Sequence, residues 1–175
     1  GVTPDIITMA KATTNGIVPM GVVAVREKIY ESVMDASPEG AVELFHGYTY
    51  SGIPVAVSAA IAVQKIFEKE DIFNRVKKLS KYFEEGLHSL KDLSCVDSIR
   101  NYGLLGGVDI SMRDKPGKAG FNVYKKCYDA GVNIKPTGDA LIIAPPFVCE
   151  KKHIDEIIEK MRSEEHTSTL QSQPE

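Results

Sequence analysis

The chain has 175 residues, a length that suits one sizeable domain or two small ones. Its hydrophobic content of 43% is ordinary for a folded protein, and its formal net charge of -3 lacks the positive excess typical of proteins that bind nucleic acids. No apolar run approaches the length needed to cross a bilayer, so neither nucleic acid nor a membrane is expected as a partner.

The first part of the chain contains two β-rich runs separated by a polar loop, followed by helical runs. The pattern predicts strands at 5–9 and 21–25, helices at 27–34 and 55–70, and a loop at 45–54. The first strand is expected to be buried, and so is the stretch 56–63, which is small and apolar on all sides.

The second part of the chain alternates helical and β-rich runs. The pattern predicts helices at 72–90, 120–130 and 150–161, and strands at 96–100, 105–111, 132–134 and 140–144. Apolar residues mark one face of the first of these helices at three- and four-residue spacing: Ile72, Val76, Leu79, Phe83, Leu87 and Leu90. This order of elements predicts a small sheet covered by helices, an α+β unit.

The last segment, 162–175, shows neither a helical stripe nor the alternation of a strand. It resembles the translation of a common DNA-sequencing adapter, and it is predicted to be a non-native or disordered tail, with a regulatory tail as the alternative. The predicted organisation is therefore a first unit at 1–68, a second at 69–161 and the tail.

The cysteines and the first residues of the chain indicate the cellular compartment of the protein. Cys95, Cys127 and Cys149 are odd in number and far apart, which favours reduced thiols in a cytoplasmic protein over disulfides or a metal site. The first four residues have no basic segment ahead of an apolar one, so no signal peptide is predicted. They also lack an initiating Met, which suggests a chain that begins within a longer protein.

Lys11 directly follows the first predicted strand and precedes the polar loop. In α/β sheets, ligand-binding groups gather at this position. A lysine there can be partly desolvated, which favours the neutral amine that attacks a carbonyl. By position alone, a solvated surface lysine remains the commoner outcome.

The residues around Lys11 carry a family resemblance. Pro-Asp-Ile-Ile-Thr-Met-Ala-Lys at 4–11, Thr-Asn-Gly at 14–16 and Val-Pro-Met-Gly at 18–21 resemble the cofactor-lysine segment of class III aminotransferases. The resemblance implies that Lys11 forms a Schiff base with pyridoxal 5'-phosphate. Ala12 stands where the family often has Gly.

Two further segments fit the same family. The run 45–54 resembles the family segment that reaches across the dimer interface, which implies that Tyr48 and Thr49 contact the cofactor phosphate of the partner subunit; Ile53 stands where members commonly have His. The run 131–146 resembles the substrate segment, and Lys135 occupies the position of an arginine that binds the substrate carboxylate. Lysine offers a point charge instead of a bidentate fork, so a surface lysine is an equal alternative there.

The resemblance implies an α/β fold, namely the C-terminal part of a fold type I pyridoxal-phosphate-dependent transferase: the end of the large domain plus a small α+β C-terminal domain. The runs 47–52 and 115–118 look most like the ω-amino acid–pyruvate group, such as β-alanine–pyruvate aminotransferases. The implied partners are a small-molecule amine, a keto acid and a second subunit, since the homodimer shares its active sites. The alternatives are a glutamate semialdehyde aminomutase and a non-catalytic truncated dimerisation module.

The implied reaction gives Lys11 two roles, holding the cofactor and moving a proton between substrate and cofactor carbons. In the family, the acidic partner of the pyridine nitrogen, the ring-stacking aromatic residue and the glycine-rich phosphate loop lie upstream of these segments. The resemblance therefore predicts that the 175-residue chain is inactive by itself.

Overall fold

The computed structural model describes residues 1–41, 44, 46–111 and 116–170, with 164–170 described as backbone. The chain divides into two compact units, Gly1–Glu70 and Asp71–Glu175. The predicted boundary after residue 68 falls in the last turn of the helix that ends the first unit. Residues 45 and 115, each part of a motif quoted above, lie outside the described residues.

The first unit contains an antiparallel hairpin and two helices. The hairpin consists of β1 (Ile6–Ala10) and β2 (Gly21–Val25), in a register that pairs Ala10 with Gly21. The helices are α1 (Glu27–Asp35) and α2 (Pro54–Lys69). The strands and helices predicted for this part of the chain are therefore present, with ends shifted by a residue or so.

The burial predicted for this unit is wrong. Every residue of β1 is exposed, and within 56–63 only Ala56 and Val63 are buried. The physical reason is that no described helix packs extensively against either strand of the hairpin, so both of its faces are left open. Large apolar side chains are consequently exposed on it: Ile6, Ile7, Met9, Val23 and Val25.

The second unit is a four-stranded antiparallel sheet with helices. Its elements are α3 (Ile72–His88), a short 3-10 helix (Ser89–Asp92), β3 (Val96–Tyr102), β4 (Leu105–Ile110), α4 (Lys118–Asp129), β5 (Lys135–Thr137), β6 (Ala140–Ile143) and α5 (Lys151–Leu170). The strand order is β3-β4-β6-β5. Among the described residues, none of the helices combines the length and apolar content that spanning a membrane requires.

The core of the second unit lies between the helices and one face of the sheet. The apolar stripe predicted for α3 is buried at Leu79, Phe83 and Leu87. These side chains form one cluster with strand residues such as Val108 and Leu141, both fully buried. Burial of large apolar side chains contributes roughly 1.5–3 kcal/mol each, so this cluster is the main stabilising feature of the unit.

One strand is displaced from its prediction. The strand expected at 132–134 begins instead at Lys135. The reason is the end of α4, where Gly131 adopts a φ of 89° and the Val132 N–H donates to the Cys127 carbonyl at 2.7 Å. Gly131 and Val132 thus form the C-terminal cap of α4, and strand pairing begins only after them.

The last helix runs further than predicted. The expectation of no regular structure from residue 162 is wrong as far as Leu170, while 171–175 lie outside the described residues. Arg162 donates to both carboxylate oxygens of Asp92, at 2.9 and 3.0 Å, and to the Ser89 carbonyl at 2.5 Å. These contacts hold the helix at the point where the apolar stripe stops, and extending an established helix costs far less than nucleating one.

Gly120 marks a close approach between α4 and the turn that joins β5 to β6. A Cβ at this position would lie 2.4 Å from the Gly138 carbonyl oxygen and 3.0 Å from Asp139 Cα. The Asp139 carboxylate accepts hydrogen bonds from the backbone N–H groups of Gly117 at 2.7 Å and Gly120 at 3.3 Å. These bonds, that of Gly117 first, lower the pKa of Asp139 and tie the start of α4 to the sheet.

Gly120→Ala is expected to lower the free energy of unfolding of this unit by about 1–3 kcal/mol, because backbone atoms must move to admit the methyl group. The higher helix propensity of alanine would by itself stabilise the unit by about 1 kcal/mol. A net loss of stability would therefore show the close contact at Gly120. Urea denaturation followed by circular dichroism measures it. Gly21→Ala is the control, since no heavy atom lies within 4 Å of a Cβ there. A Gly120→Ala variant as stable as the parent would show that α4 does not approach the turn this closely.

Candidate active site

Lys11 stands at the end of β1 in an unusual backbone conformation. Its φ is 61°, in the left-handed region, and its carbonyl accepts a bond from the Thr14 N–H at 3.4 Å. A non-glycine residue held in this region carries strain of about 1–3 kcal/mol, and such strain collects at functional sites. The sequence predicted the lysine, but it carried no signal for this conformation.

The loop after Lys11 is held by Thr14. This side chain is 1% exposed, and its hydroxyl donates to the Val18 carbonyl at 2.5 Å. The Ile17 N–H donates to the Thr14 carbonyl at 3.2 Å, which closes a second turn. The neighbouring Thr13 hydroxyl oxygen is buried without a hydrogen-bond partner in the part of the chain that the structure describes. The Thr-Asn-Gly segment therefore fixes the loop that begins at the lysine.

The partial desolvation expected for Lys11 is not found, since its side chain is exposed. The open hairpin is again the reason, because neither face of β1 is covered by described residues. The amine is thus accessible for covalent chemistry from this side of the strand.

Tyr48 and Thr49 lie together in a tight turn. The Ser51 N–H donates to the Tyr48 carbonyl at 2.9 Å, which places Thr49 inside the turn, and Gly52 follows with a φ of 67°. The His46 and Tyr48 rings meet edge to face with centroids 5.3 Å apart. No described hydrogen bond or ring contact joins this turn to Lys11.

The helix α2 begins directly after this turn. Its cap residue Ile53 forms no side-chain cap, Pro54 is the first helical residue, and the first turn has no acidic side chain. Pro54 has no N–H, and the Ala56 and Val57 N–H groups donate to the Ile53 carbonyl at 3.0 and 3.1 Å, so this helix end offers an anion chiefly the positive end of the helix dipole. The dipole and the Thr49 hydroxyl together suit a phosphate.

Lys135 lies in the second unit, as the first residue of β5. It pairs across the strands with Ile142, which pairs with Gly107, which in turn pairs with Arg100. Residues in one such cross-strand row share a face of the sheet. We call the side away from the helices the outer sheet face and define it by six residues: Arg100, Tyr102, Leu105, Gly107, Lys135 and Ile142.

Arg100 is a candidate binding residue that the sequence did not single out. Its guanidinium forms an ion pair with Asp109, which also accepts a hydrogen bond from the Ser98 hydroxyl. The bond from Arg100, followed by that from Ser98, holds the pKa of Asp109 below its usual value, and the same carboxylate raises the pKa of Arg100. The run 100–107 was interpreted as a structural strand pair, and the cluster was not predicted as a site because its members lie on two different strands.

Comparison with known proteins assigns the fold. A transaminase from the marine bacterium Virgibacillus superposes with a TM-score of 0.87 at 27% identity, over 97% of this chain and 40% of that one. The match gives this chain the α/β fold of a transaminase and confirms the predicted fold class.

The relatives in sequence agree. An omega-aminotransferase of Caulobacter vibrioides is 42% identical over 163 residues, which is 93% of this chain and 37% of that protein. A beta-alanine–pyruvate aminotransferase of Pseudomonas aeruginosa is 39% identical, over 91% of this chain and 36% of that protein. The chain therefore spans little more than a third of the length of these relatives.

Residues 1–164 match the family model of class-III aminotransferases, and the chain belongs to this family. Class-III aminotransferases depend on pyridoxal phosphate, so the predicted enzyme class and cofactor are confirmed for the family of this chain. The family match extends two residues beyond Arg162, the residue whose contacts hold the last helix.

Proposed function

We propose that the whole protein to which this chain contributes transfers an amino group from an ω-amino acid or amine, such as β-alanine, to pyruvate. The observation that carries the proposal is Lys11, an accessible primary amine in a strained conformation at the end of β1. The names of the relatives, omega-aminotransferase and beta-alanine–pyruvate aminotransferase, support the choice of substrates.

The residues present fit pyridoxal phosphate. Lys11 would bind the cofactor aldehyde through its Nζ, and the Thr49 hydroxyl and the start of α2 would bind the phosphate of the partner subunit's cofactor. When bound, the cofactor supplies the electron sink that makes the substrate carbon acidic. Lys11 Nζ would then move a proton between the substrate carbon and the cofactor carbon. We place the protein in the cytoplasm, as a homodimer with shared active sites.

Lys135 is proposed as a contact for the substrate carboxylate. It is exposed at the start of β5, on the outer sheet face. A single ammonium group gives charge complementarity without the two parallel bonds of a guanidinium. Its contribution to carboxylate recognition is therefore expected to be small.

The reaction itself is tested on the whole protein with β-alanine, pyruvate and pyridoxal phosphate, with alanine formation as the readout. Borohydride reduction followed by peptide mass spectrometry is expected to place a cofactor adduct on Lys11. An aminomutase would form product without pyruvate, and a non-catalytic dimerisation module would form dimers without any adduct. The 175-residue chain by itself is expected to give no alanine.

Thr49→Val is expected to weaken the affinity of the whole protein for pyridoxal phosphate by about tenfold or more, since a hydrogen bond to a charged group contributes about 1.5–3 kcal/mol. Thr49→Ser is the matched control, because it retains the hydroxyl. Absorbance titration of the apoenzyme measures both. Equal affinity of the Val and Ser variants would exclude a role for the hydroxyl in phosphate binding.

A further inference from the structure

The loop that joins β1 to β2, residues 11–20, is built around Thr14. Among the described residues, no other residue with a hydroxyl, amide or charged side chain is as deeply buried. The Thr14 N–H donates to the Lys11 carbonyl at 3.4 Å, and the Thr14 carbonyl accepts a bond from the Ile17 N–H at 3.2 Å. Two successive turns therefore share this residue, the last of the first turn and the first of the second.

The two turns differ in the support that their own residues give them. In the second turn, Asn15 and Gly16 have φ values of 52° and 80°. Asn-Gly is a pair that tolerates two positive φ values well, so this turn is stable by its own sequence. At the start of the first turn, the positive φ of 61° belongs to Lys11, and lysine has no feature that favours the left-handed region. The conformation of Lys11 therefore depends on bonds elsewhere in the loop.

The Thr14 hydroxyl supplies a bond of this kind. It donates to the Val18 carbonyl at 2.5 Å, and so it ties the residue shared by the two turns to the segment that leads into β2. The described bond from the loop to Lys11 itself, donated by the Thr14 N–H at 3.4 Å, is long and therefore weak. The short hydroxyl bond is thus the stronger constraint on the position of Thr14, and through Thr14 on Lys11.

We propose that Thr14 is a positioning residue for Lys11: its hydroxyl fixes the loop that keeps the lysine backbone left-handed, and so it determines where the reactive amine lies. The proposal rests on the proposed function, because it takes Lys11 as the reactive amine. A residue that leaves the strand in the left-handed region directs its side chain differently from one that continues the alternation of the strand. An amine displaced by about 1 Å can lose about a hundredfold in rate.

Thr13 offers a matched control in the same loop. Its hydroxyl oxygen is buried, yet it has no hydrogen-bond partner in the part of the chain that the structure describes. Thr13→Val and Thr14→Val make the same chemical change one residue apart, but only Thr14→Val breaks a described bond and leaves the Val18 carbonyl without this donor. Removal of an unpaired buried hydroxyl is expected to be nearly neutral.

The test compares Thr14→Val, Thr14→Ser and Thr13→Val in the whole protein, saturated with pyridoxal phosphate. Thr14→Val is expected to lower the kcat for alanine formation about ten- to a hundredfold and to leave the KM values for β-alanine and pyruvate unchanged, because the amine is displaced and the substrate contacts are not. Thr14→Ser keeps the hydroxyl and is expected to retain most of the parental kcat. Thr13→Val is expected to match the parent, and far-UV circular dichroism checks the fold of each variant.

Two further measurements do not depend on turnover. Hydrogen exchange of the peptide that contains residues 11–20, followed by mass spectrometry, is expected to be faster in Thr14→Val than in the other variants. Brief exposure of the apoenzyme to pyridoxal phosphate, followed by borohydride, is expected to label Lys11 more slowly in Thr14→Val and to label Lys28 equally in all. Parental exchange and labelling in Thr14→Val, or losses of equal size in Thr14→Ser or Thr13→Val, would overturn the proposal.

A second pair of variants keeps the proposal testable if Thr14→Val does not fold. Asn15→Val places a β-branched side chain at a φ of 52° and strains the turn that Thr14 begins, whereas Asn15→Gly introduces no strain. Slower labelling of Lys11 is expected in Asn15→Val than in Asn15→Gly. Equal labelling would show that the conformation of this loop does not position the lysine.

The two proposals fail separately. A parent protein that forms no alanine would remove the proposed function, while the hydrogen-exchange comparison would still decide whether the Thr14 hydroxyl fixes the loop at Lys11. A Thr14→Val variant that forms alanine at the parental rate would remove the role of Thr14 and leave the reaction.

Discussion

Lys11→Ala in the whole protein is expected to abolish transamination, with a loss of at least about a thousandfold in kcat, because one amine provides both covalent attachment and proton transfer. The fold is expected to persist. The Lys11 side chain is exposed, and alanine keeps the Cβ, so the strain at a φ of 61° is unchanged. Alanine formation measures activity, and far-UV circular dichroism checks the fold.

The matched control is Lys28→Ala, which removes an exposed lysine from α1 in the same unit. It is expected to leave kcat unchanged. Borohydride adducts are expected in Lys28→Ala and absent in Lys11→Ala. A Lys11→Ala variant that turns over at the rate of the parent would rule out the assigned chemistry.

Phe83→Ala is expected to lower the free energy of unfolding of the second unit by about 3–5 kcal/mol. Phe83 is fully buried, and its ring lies over Gly106, where a Cβ would be 3.1 Å from the ring. Truncation removes both the apolar burial and the contacts with this strand, and the glycine has no side chain to fill the space. Such a loss is a large part of the stability of a domain of this size.

Phe73→Ala is the control for this substitution, since it removes the same side chain from the same helix at a position that is 62% exposed. It is expected to change stability by less than about 1 kcal/mol. Chemical denaturation of both variants gives the comparison. Equal losses at the two positions would mean that α3 does not present Phe83 to the sheet.

The second unit shows how far local pattern predicts structure. The apolar stripe of α3 predicted both this helix and its buried face, because the residues that cover that face belong to the described chain. The pattern of β1 predicted a strand equally well but gave the wrong burial. Period and composition report that a segment suits a strand, whereas burial depends on which other segments cover it.

In the tail, by contrast, the secondary structure itself was predicted wrongly. Composition alone indicated no helix after Met161, yet α5 continues to Leu170. The bonds from Arg162 to Asp92 and Ser89 join residues about seventy positions apart, and such contacts leave no mark on local sequence. Whether the segment is native to the protein stays a prediction.

The sequence by itself determined the family, and it predicted Lys11 as the reactive lysine and a loop that contains Thr49, because these depend on short contiguous motifs whose chemistry requires particular residue types. Only the tertiary structure decided the left-handed backbone at Lys11, the close approach at Gly120 and the cross-strand row from Arg100 to Lys135. Each of these arises from pairing or packing between segments that are distant along the chain or from local strain that the rest of the fold maintains. The spacing of residues along one sequence encodes neither this long-range packing nor this local strain.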